Sequence, residues 1–338
     1  MENITCILPV AGIGKRLQPH TFTIPKVLLP VAGKPILGHL IEFIRSLGMR
    51  NIVFIVGHLG DKVIKYVEEF YPDINGVFVE QKEFLGLGYA VYLAREHVSG
   101  PVFINLGDTL IEANIADAMK ADEDWVGVHE VADPRRFGVA ITGPDGWIKR
   151  LVEKPEVPVS NLALCGIYYV KESRLLFECL GRMTKNGNTT RNEFQLTDAL
   201  QMMVEQGHPI RALMVEKWFD CGKVETLLAT NRYLLEKYAP KQYVIASSVV
   251  INPPVSIDES ARLKNCVIGP YASIGKDVEM VNVIAQNCII NDHARVKNVV
   301  ISDSVIGYSA TLVGNLQRIN LGDASQVNPV GEEDIFSI

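Results

Sequence analysis

Residues 3–41 contain no Asp and no Glu. The whole chain carries 39 acids in 338 residues, so a stretch of this length would ordinarily hold about four or five. Lys15, Arg16, Lys26 and Lys34 all sit inside it. A chain of formal net charge −6 thus keeps one region cationic, which suits a polyphosphate that a negative field would repel. Long basic runs are lacking, which argues against a nucleic-acid partner. Apolar runs of membrane-spanning length are lacking, as is the basic-then-apolar layout of a signal peptide at the start, so no membrane partner is expected. The six cysteines, Cys6, Cys165, Cys179, Cys221, Cys266 and Cys288, have no C-x-x-C spacing. They read as reduced, mostly buried thiols of a cytoplasmic protein. The histidines are scattered, with no metal-spaced pair and no triad pattern.

The cationic stretch begins as an apolar strand, 4–10, and breaks into a loop holding Ala11, Gly12, Gly14, Lys15 and Arg16. A strand entering a glycine loop brings backbone N–H groups close to phosphates. A lone G-x-G is weak evidence, since such loops are common turns. Here it coincides with the acid-free window and with Lys26. Helical spacing then covers 36–47, 62–70 and 88–97, alternating with apolar strands at 51–57, 77–81 and 101–106. Alternation of this kind predicts βαβ units and a mainly parallel sheet, with ligands beyond the carboxyl ends of its strands. The loops 11–16, 81–88 and 107–109 fall at such ends.

From Trp125 the texture changes to strands on short turns, at 125–131, 137–142, 147–153 and 163–170, which suggests mixed or antiparallel pairing. Helices are predicted at 173–182, 197–206 and 223–238, a strand at 210–216, and a polar loop at 184–191. Beyond residue 240, short β segments separated by Asn, Gly, Asp and Ser follow one another. Apolar residues recur every six, as in Ile268, Ile274 and Met280, then Ile284, Ile290 and Val296, then Val300, Ile306 and Leu312. A hexad repeat marks a parallel β-helix with triangular coils.

Asp108 ends an apolar strand in Leu-Gly-Asp-Thr. A carboxylate there can hold Mg²⁺ or can cap a nearby helix.

Gly12-Ile-Gly14-Lys-Arg16-Leu, then Pro19, Thr21, Pro25-Lys26 and Leu28-Leu-Pro-Val, resemble the G-x-G-[TK]-R-L…P-x-T…P-K signature of the sugar-nucleotide pyrophosphorylases. These nucleotidyltransferases join an NTP and a sugar 1-phosphate, and the closest branches act on glucose 1-phosphate with dTTP or UTP. The resemblance implies a Rossmann-like α/β catalytic domain over 1–240, a left-handed parallel β-helix over 245–320 and a tail over 321–338. Trp218-Phe-Asp220-Cys-Gly222 resembles the W-x-D-x-G motif, which would make Asp220 a second Mg²⁺ ligand beside Asp108. Glu153-Lys154-Pro155 is similar to the E-K-P that places Glu153 on sugar hydroxyls and Lys154 on the sugar phosphate. Gly138, Asn161 and Tyr168 fall in segments like those around the sugar. Gln81 and Gly86 fall in one like that around the base, with Ala11, Gly12, Gly14 and Lys15 on the nucleotide. Arg16, Lys26 and Lys154 are the expected catalytic cations. Leu-Gly-Leu-Gly (85–88) is closer to the uridylyl branch and Gly-Asp-Thr (107–109) to the thymidylyl branch, so the base stays open, as does the sugar: the same reaction of the GDP-mannose or UDP-N-acetylglucosamine type is the alternative. A homo-oligomer assembled through the β-helix is expected. Two other readings stand beside the enzyme: a non-catalytic regulatory subunit, which could lack these cations and carboxylates, and a bifunctional protein with an acyltransferase β-helix.

Overall fold

A computed structural model describes residues 3–121, 123–240 and 247–314. The first strand, β1 (Thr5–Pro9), is buried along nearly its whole length. Burial follows from its place, since it pairs in parallel with β4 (Asn51–Val56) on one side and β6 (Val102–Asn105) on the other. Between them come a two-residue hairpin, β2 (Pro30–Val31) and β3 (Lys34–Pro35), and the helix α1 (Ile36–Ser46). Helix α2 (Gly60–Phe70) leads to β5 (Asn75–Glu80), which extends the parallel sheet from β4, and α3 (Leu87–Leu93) precedes β6. Successive side chains of β1 serve two cores. Cys6 and Leu8 join one with Leu37 and Leu40 of α1, whereas Ile7 joins the other with Val91 of α3. That is the near-continuous apolar strand of a sheet covered on both faces.

The chain then forms β7 (Thr109–Glu112), α4 (Ile115–Lys120), β8 (Trp125–Glu130), β9 (Gly138–Thr142), β10 (Ile148–Glu153) and β11 (Leu162–Val170). Helices α5 (Ser173–Asn186) and α6 (Leu196–Glu205) follow, then β12 (Arg211–Met214), β13 (Lys217–Asp220) and α7 (Val224–Tyr238). The sheet path is β10-β9-β11-β6-β1-β4-β5, with β8 paired to both β11 and β12. β11 is antiparallel to β6, β8 and β9, so the sheet is mixed, as the change of texture at Trp125 suggests. Several elements depart from expectation. Helix α5 runs three residues into the expected polar loop and stops where Gly187 takes a left-handed φ of 70°. The segments 109–112 and 217–220 are strands in their own right and form a separate antiparallel ribbon.

The C-terminal strands are β14 (Val249–Ile251), β15 (Val255–Ile257), β16 (Arg262–Ile268), β17 (Ala272–Ile274), β18 (Glu279–Ile290), β19 (Arg295–Ile306) and β20 (Thr311–Val313). All pair in parallel, and partners lie 16 or 17 positions apart: Val249 faces Cys266, Cys266 faces Val283, and Val283 faces Val299. Left-handed backbone recurs every five or six residues, at Asn265, Tyr271, Asp277, Asn282, Asn287, His293, Asn298, Asp303 and Ser309. Asn and Asp tolerate that conformation best after glycine, which explains their abundance at the corners. Their amides also stack from rung to rung, Asn265 donating to Asn282 at 3.1 Å and Asn282 to Asn298 at 2.8 Å. Ile268, Ile274, Met280, Ile290 and Val296 fill the interior. Ile284 and Val300 do not: they are 46% and 71% exposed, and Ala285 and Ile301 point inward instead. The five-residue steps between corners shift the hexad register by one there. Residues 241–246 and 315–338, which include the expected tail 321–338, lie outside the described residues. Among the described residues no helix is long and apolar enough to cross a membrane.

Candidate active site

Two clefts open at the carboxyl ends of the parallel strands. The first, of about 450 Å³, is lined by Ala11, Gly12, Gly14, Lys15, Arg16, Lys26, Gln81, Gly86 and Asp108. The second, of about 290 Å³, is lined by Arg16, Asp108, Gly138, Glu153, Lys154, Tyr168 and Asp220. Arg16, Leu87, Leu106, Asp108 and Glu193 belong to both, so the clefts adjoin, with Arg16 and Asp108 among the charged side chains between them.

The first cleft depends on backbone that only glycine provides cheaply. Gly14 has φ +69°, and a Cβ there would press on Lys26 and Thr21 at 3.0 Å. Thr21 Oγ1 donates to the Gly14 carbonyl at 3.0 Å, closing the loop back on itself. Gly86 has φ +107° and a Cβ would meet the Phe194 carbonyl at 2.7 Å. Gln81 is 6% exposed, and its amide donates one N–H to the Glu83 carbonyl at 3.2 Å.

The ribbon of β7 and β13 brings the two expected metal carboxylates together. Asp220 pairs with Thr109, and the N–H of Cys221 donates to the Asp108 carbonyl at 3.0 Å. Burial, and then the charge of Asp108, push the Asp220 carboxyl above the usual carboxylate range, against the opposing pull of Lys26, Arg16 and Arg136. Buried Lys26 is ion-paired with Asp108. No cluster of three or more metal-ligating side chains occurs among the described residues. A pair of carboxylates fits Mg²⁺, which is commonly held by one or two carboxylates plus phosphate and water oxygens.

On the other side, Glu153 is fixed between three neighbours. Thr197 Oγ1 donates to Glu153 Oε2 at 2.7 Å, and Lys154 Nζ lies 3.1 Å from Oε1. A Cβ on Gly138 would stand 2.9 Å from Oε2. Lys154 has φ +41°, a strained conformation for a long side chain, and Arg191 donates to its carbonyl at 2.9 Å. Tyr168 is 3% exposed and contributes a wall more than a free hydroxyl. Asn161 is not brought to either cleft. Its amide donates to Glu130 at 2.5 Å on the exposed edge where β11 begins.

The clefts are also lined by residues that sequence reasoning did not single out, among them Phe84 in the first, Arg136 and Thr197 in the second, and Glu193 in both. Arg136 precedes Phe137-Gly138 and was visible as a neighbour of the expected sugar segment. Thr197 reads from sequence only as a helix opener, and Glu193 carries no local signal.

The nucleotidyl transferase family profile matches residues 5–237. The low-salt glycan biosynthesis nucleotidyltransferase Agl11 of Haloferax volcanii is 30% identical over 356 aligned positions, covering 96% of each chain. The glucose-1-phosphate thymidylyltransferase of Streptomyces griseus is 29% identical, covering 93% of this chain and 96% of its own. Among solved structures, a UDP-glucose pyrophosphorylase complexed with UDP-glucose superposes with a TM-score of 0.61 at 27% identity, covering 70% of this chain and all of the other. With the profile spanning the clefts and both carboxylates, this chain belongs to the nucleotidyl transferase family.

Proposed function

We propose that the protein is a Mg²⁺-dependent sugar-1-phosphate nucleotidyltransferase, joining dTTP or UTP to glucose 1-phosphate to give an NDP-sugar and pyrophosphate. The observation that carries this reading is that two adjoining clefts share Arg16 and Asp108, one also lined by the cations Lys15 and Lys26, the other holding an acceptor and a cation side by side. The similarity to a thymidylyltransferase and to a UDP-glucose pyrophosphorylase supports the substrate pair.

A phosphate oxygen of the sugar 1-phosphate, already ionised at neutral pH, attacks the α-phosphorus. The bond from that phosphorus to the bridging oxygen breaks, and pyrophosphate leaves with the electron pair. No general base is needed, so the residues work by positioning and by charge stabilisation. Arg16 faces the leaving pyrophosphate, Lys26 the oxygens of the transferred group, and Lys154 the phosphate of the nucleophile. Glu153, oriented by Thr197, accepts from sugar hydroxyls; Gly138 and Tyr168 shape the wall beside it. Asp108 and Asp220 would hold Mg²⁺, which supplies neutralisation of phosphate charge when bound.

Pyrophosphate release from a panel of five NTPs against glucose, N-acetylglucosamine and mannose 1-phosphates tests the reading. Turnover is expected to be highest with dTTP or UTP and glucose 1-phosphate. Asp108→Asn and Asp220→Asn should each lose about a hundredfold or more in kcat. Undiminished turnover in both variants discards the two-carboxylate metal site, and silence across the panel discards the reaction.

The parallel coils beyond residue 247, with corners every five or six residues, support a parallel β-helix that follows a catalytic unit ending near residue 240. Its outward row of Val250, Ile284 and Val300 supports assembly of like chains through this region. Light scattering of the full chain should then give a multiple of 37.4 kDa; a monomer at assay concentration overturns it.

A further inference from the structure

The nucleotide-side cleft has a single aromatic among its described lining residues, Phe84, and that ring is half exposed, at 50%. Its neighbour Leu85 packs against the apolar core between the sheet and α3, α5 and α6, whereas Phe84 does not. No other ring contacts Phe84 among the described residues. The loop that carries it is nevertheless fixed. Gln81 Nε2 donates to the Glu83 carbonyl at 3.2 Å, and the Leu85 N–H donates to that same carbonyl at 3.0 Å. The Leu85 carbonyl accepts from Phe194 at 2.7 Å. A large apolar side chain is therefore held on a hydrogen-bonded loop lining the cleft, half in water, with no ring paired to it among the described residues.

The cleft is polarised by its elements: Lys15 and Arg16 come from the loop after β1, whereas Gln81 and Phe84 come from the loop after β5, two strands along the sheet. A nucleoside triphosphate has the matching polarity, charged phosphates at one end and a flat π-face at the other. Hydrogen bonding from Gln81 can read the edge of a base, but it leaves the faces of the ring unpaired. We propose that Phe84 stacks on the face of the bound base and sets nucleotide affinity, while Gln81 sets which base is preferred. The inference rests on the reading of this cleft as the NTP site. Base–aromatic stacking tolerates any base, because every base has a π-face.

The test compares wild type with Phe84→Ala and Phe84→Trp. Because Phe84 contacts neither core, the variants should melt as wild type does. Phe84→Ala should raise the KM for every NTP about five- to a hundredfold, with the KM for the sugar 1-phosphate unchanged. Phe84→Trp should restore it. Inorganic tripolyphosphate, which has no base, should inhibit all three proteins equally. An NTP KM within twofold of wild type in Phe84→Ala overturns the proposal, as does a parallel loss of tripolyphosphate binding, which would indicate a distorted loop. Calorimetric titration of NTP into wild type and Phe84→Ala separates the two layers of inference. If wild type binds NTP without turning over, the reaction is wrong and the stacking proposal is judged on binding alone. If wild type binds no NTP, both fall.

Discussion

Asp220 and Lys26 illustrate how the same ion cluster acts oppositely on stability at two positions. The Asp220 carboxyl is held above its usual range, first by burial and then by Asp108. A carboxyl whose folded-state pKa is raised binds its proton more tightly when folded than when unfolded. Stability of the ligand-free protein therefore falls as pH rises from the ordinary carboxylate pKa through the raised one. Asp220→Asn removes that penalty. It should melt at or above wild type at neutral pH, with the gap closing in acid, even though its activity is lost; thermal melts at several pH values check this, and a variant that melts well below wild type at pH 7 contradicts it. Lys26 is the reverse case. It is 8% exposed and paired with Asp108, so its removal leaves a partly buried carboxylate without its partner. The cationic residues and the glycines were readable in the sequence because each has a local signature. The environment of each charge was not, because burial depends on distant segments.

At the scale of elements, the parallel strands and their helices follow from apolar runs and 3.6-residue spacing, and expected and observed bounds differ mostly by one or two residues. Both strands of the ribbon were missed. β7 and β13 are four residues each, and the pairing of Phe219 with Leu110 and Trp218 with Ile111 supplies what their local pattern does not. This pairing sets the two carboxylates side by side: Asp220 faces Thr109, the residue after Asp108. A motif can nominate both acids, but only the register of the ribbon makes them neighbours. The strap carrying Arg191 and Glu193, which leads into Thr197 in the first turn of α6, is a similar case. It lies between α5 and α6, reads as a polar connection, and reaches Lys154, Gly86 and Glu153 through tertiary contacts.

In the whole molecule, the C-terminal coils lean on the catalytic part through several contacts, among them the Tyr271 hydroxyl donating to Glu236 at 2.9 Å and one buried polar side chain. Asn231 of α7 is fully buried. Its Oδ1 accepts from the Ala32 N–H at 2.8 Å and from the Ser273 hydroxyl at 2.6 Å, and its Nδ2 donates to the Tyr271 carbonyl at 3.1 Å. Ile289 of β18 enters the catalytic core beside it. Asn231→Leu keeps the volume and orphans those three groups, so it should cost about 2–4 kcal/mol in denaturant unfolding; a loss below about 1 kcal/mol would show that the junction does not depend on this node. The sequence by itself determined the alternation of strands and helices, the glycine-bearing cationic loop and the parallel repeat, since all three are written in the spacing of neighbouring residues. Only the tertiary structure decided that Asp108 meets Asp220, that Lys26 is buried against a carboxylate, that Asn161 stays at an edge, and that Ile284 and Val300 face outward. Each of these depends on strand register or on packing between segments far apart in the chain, which short-range pattern does not encode.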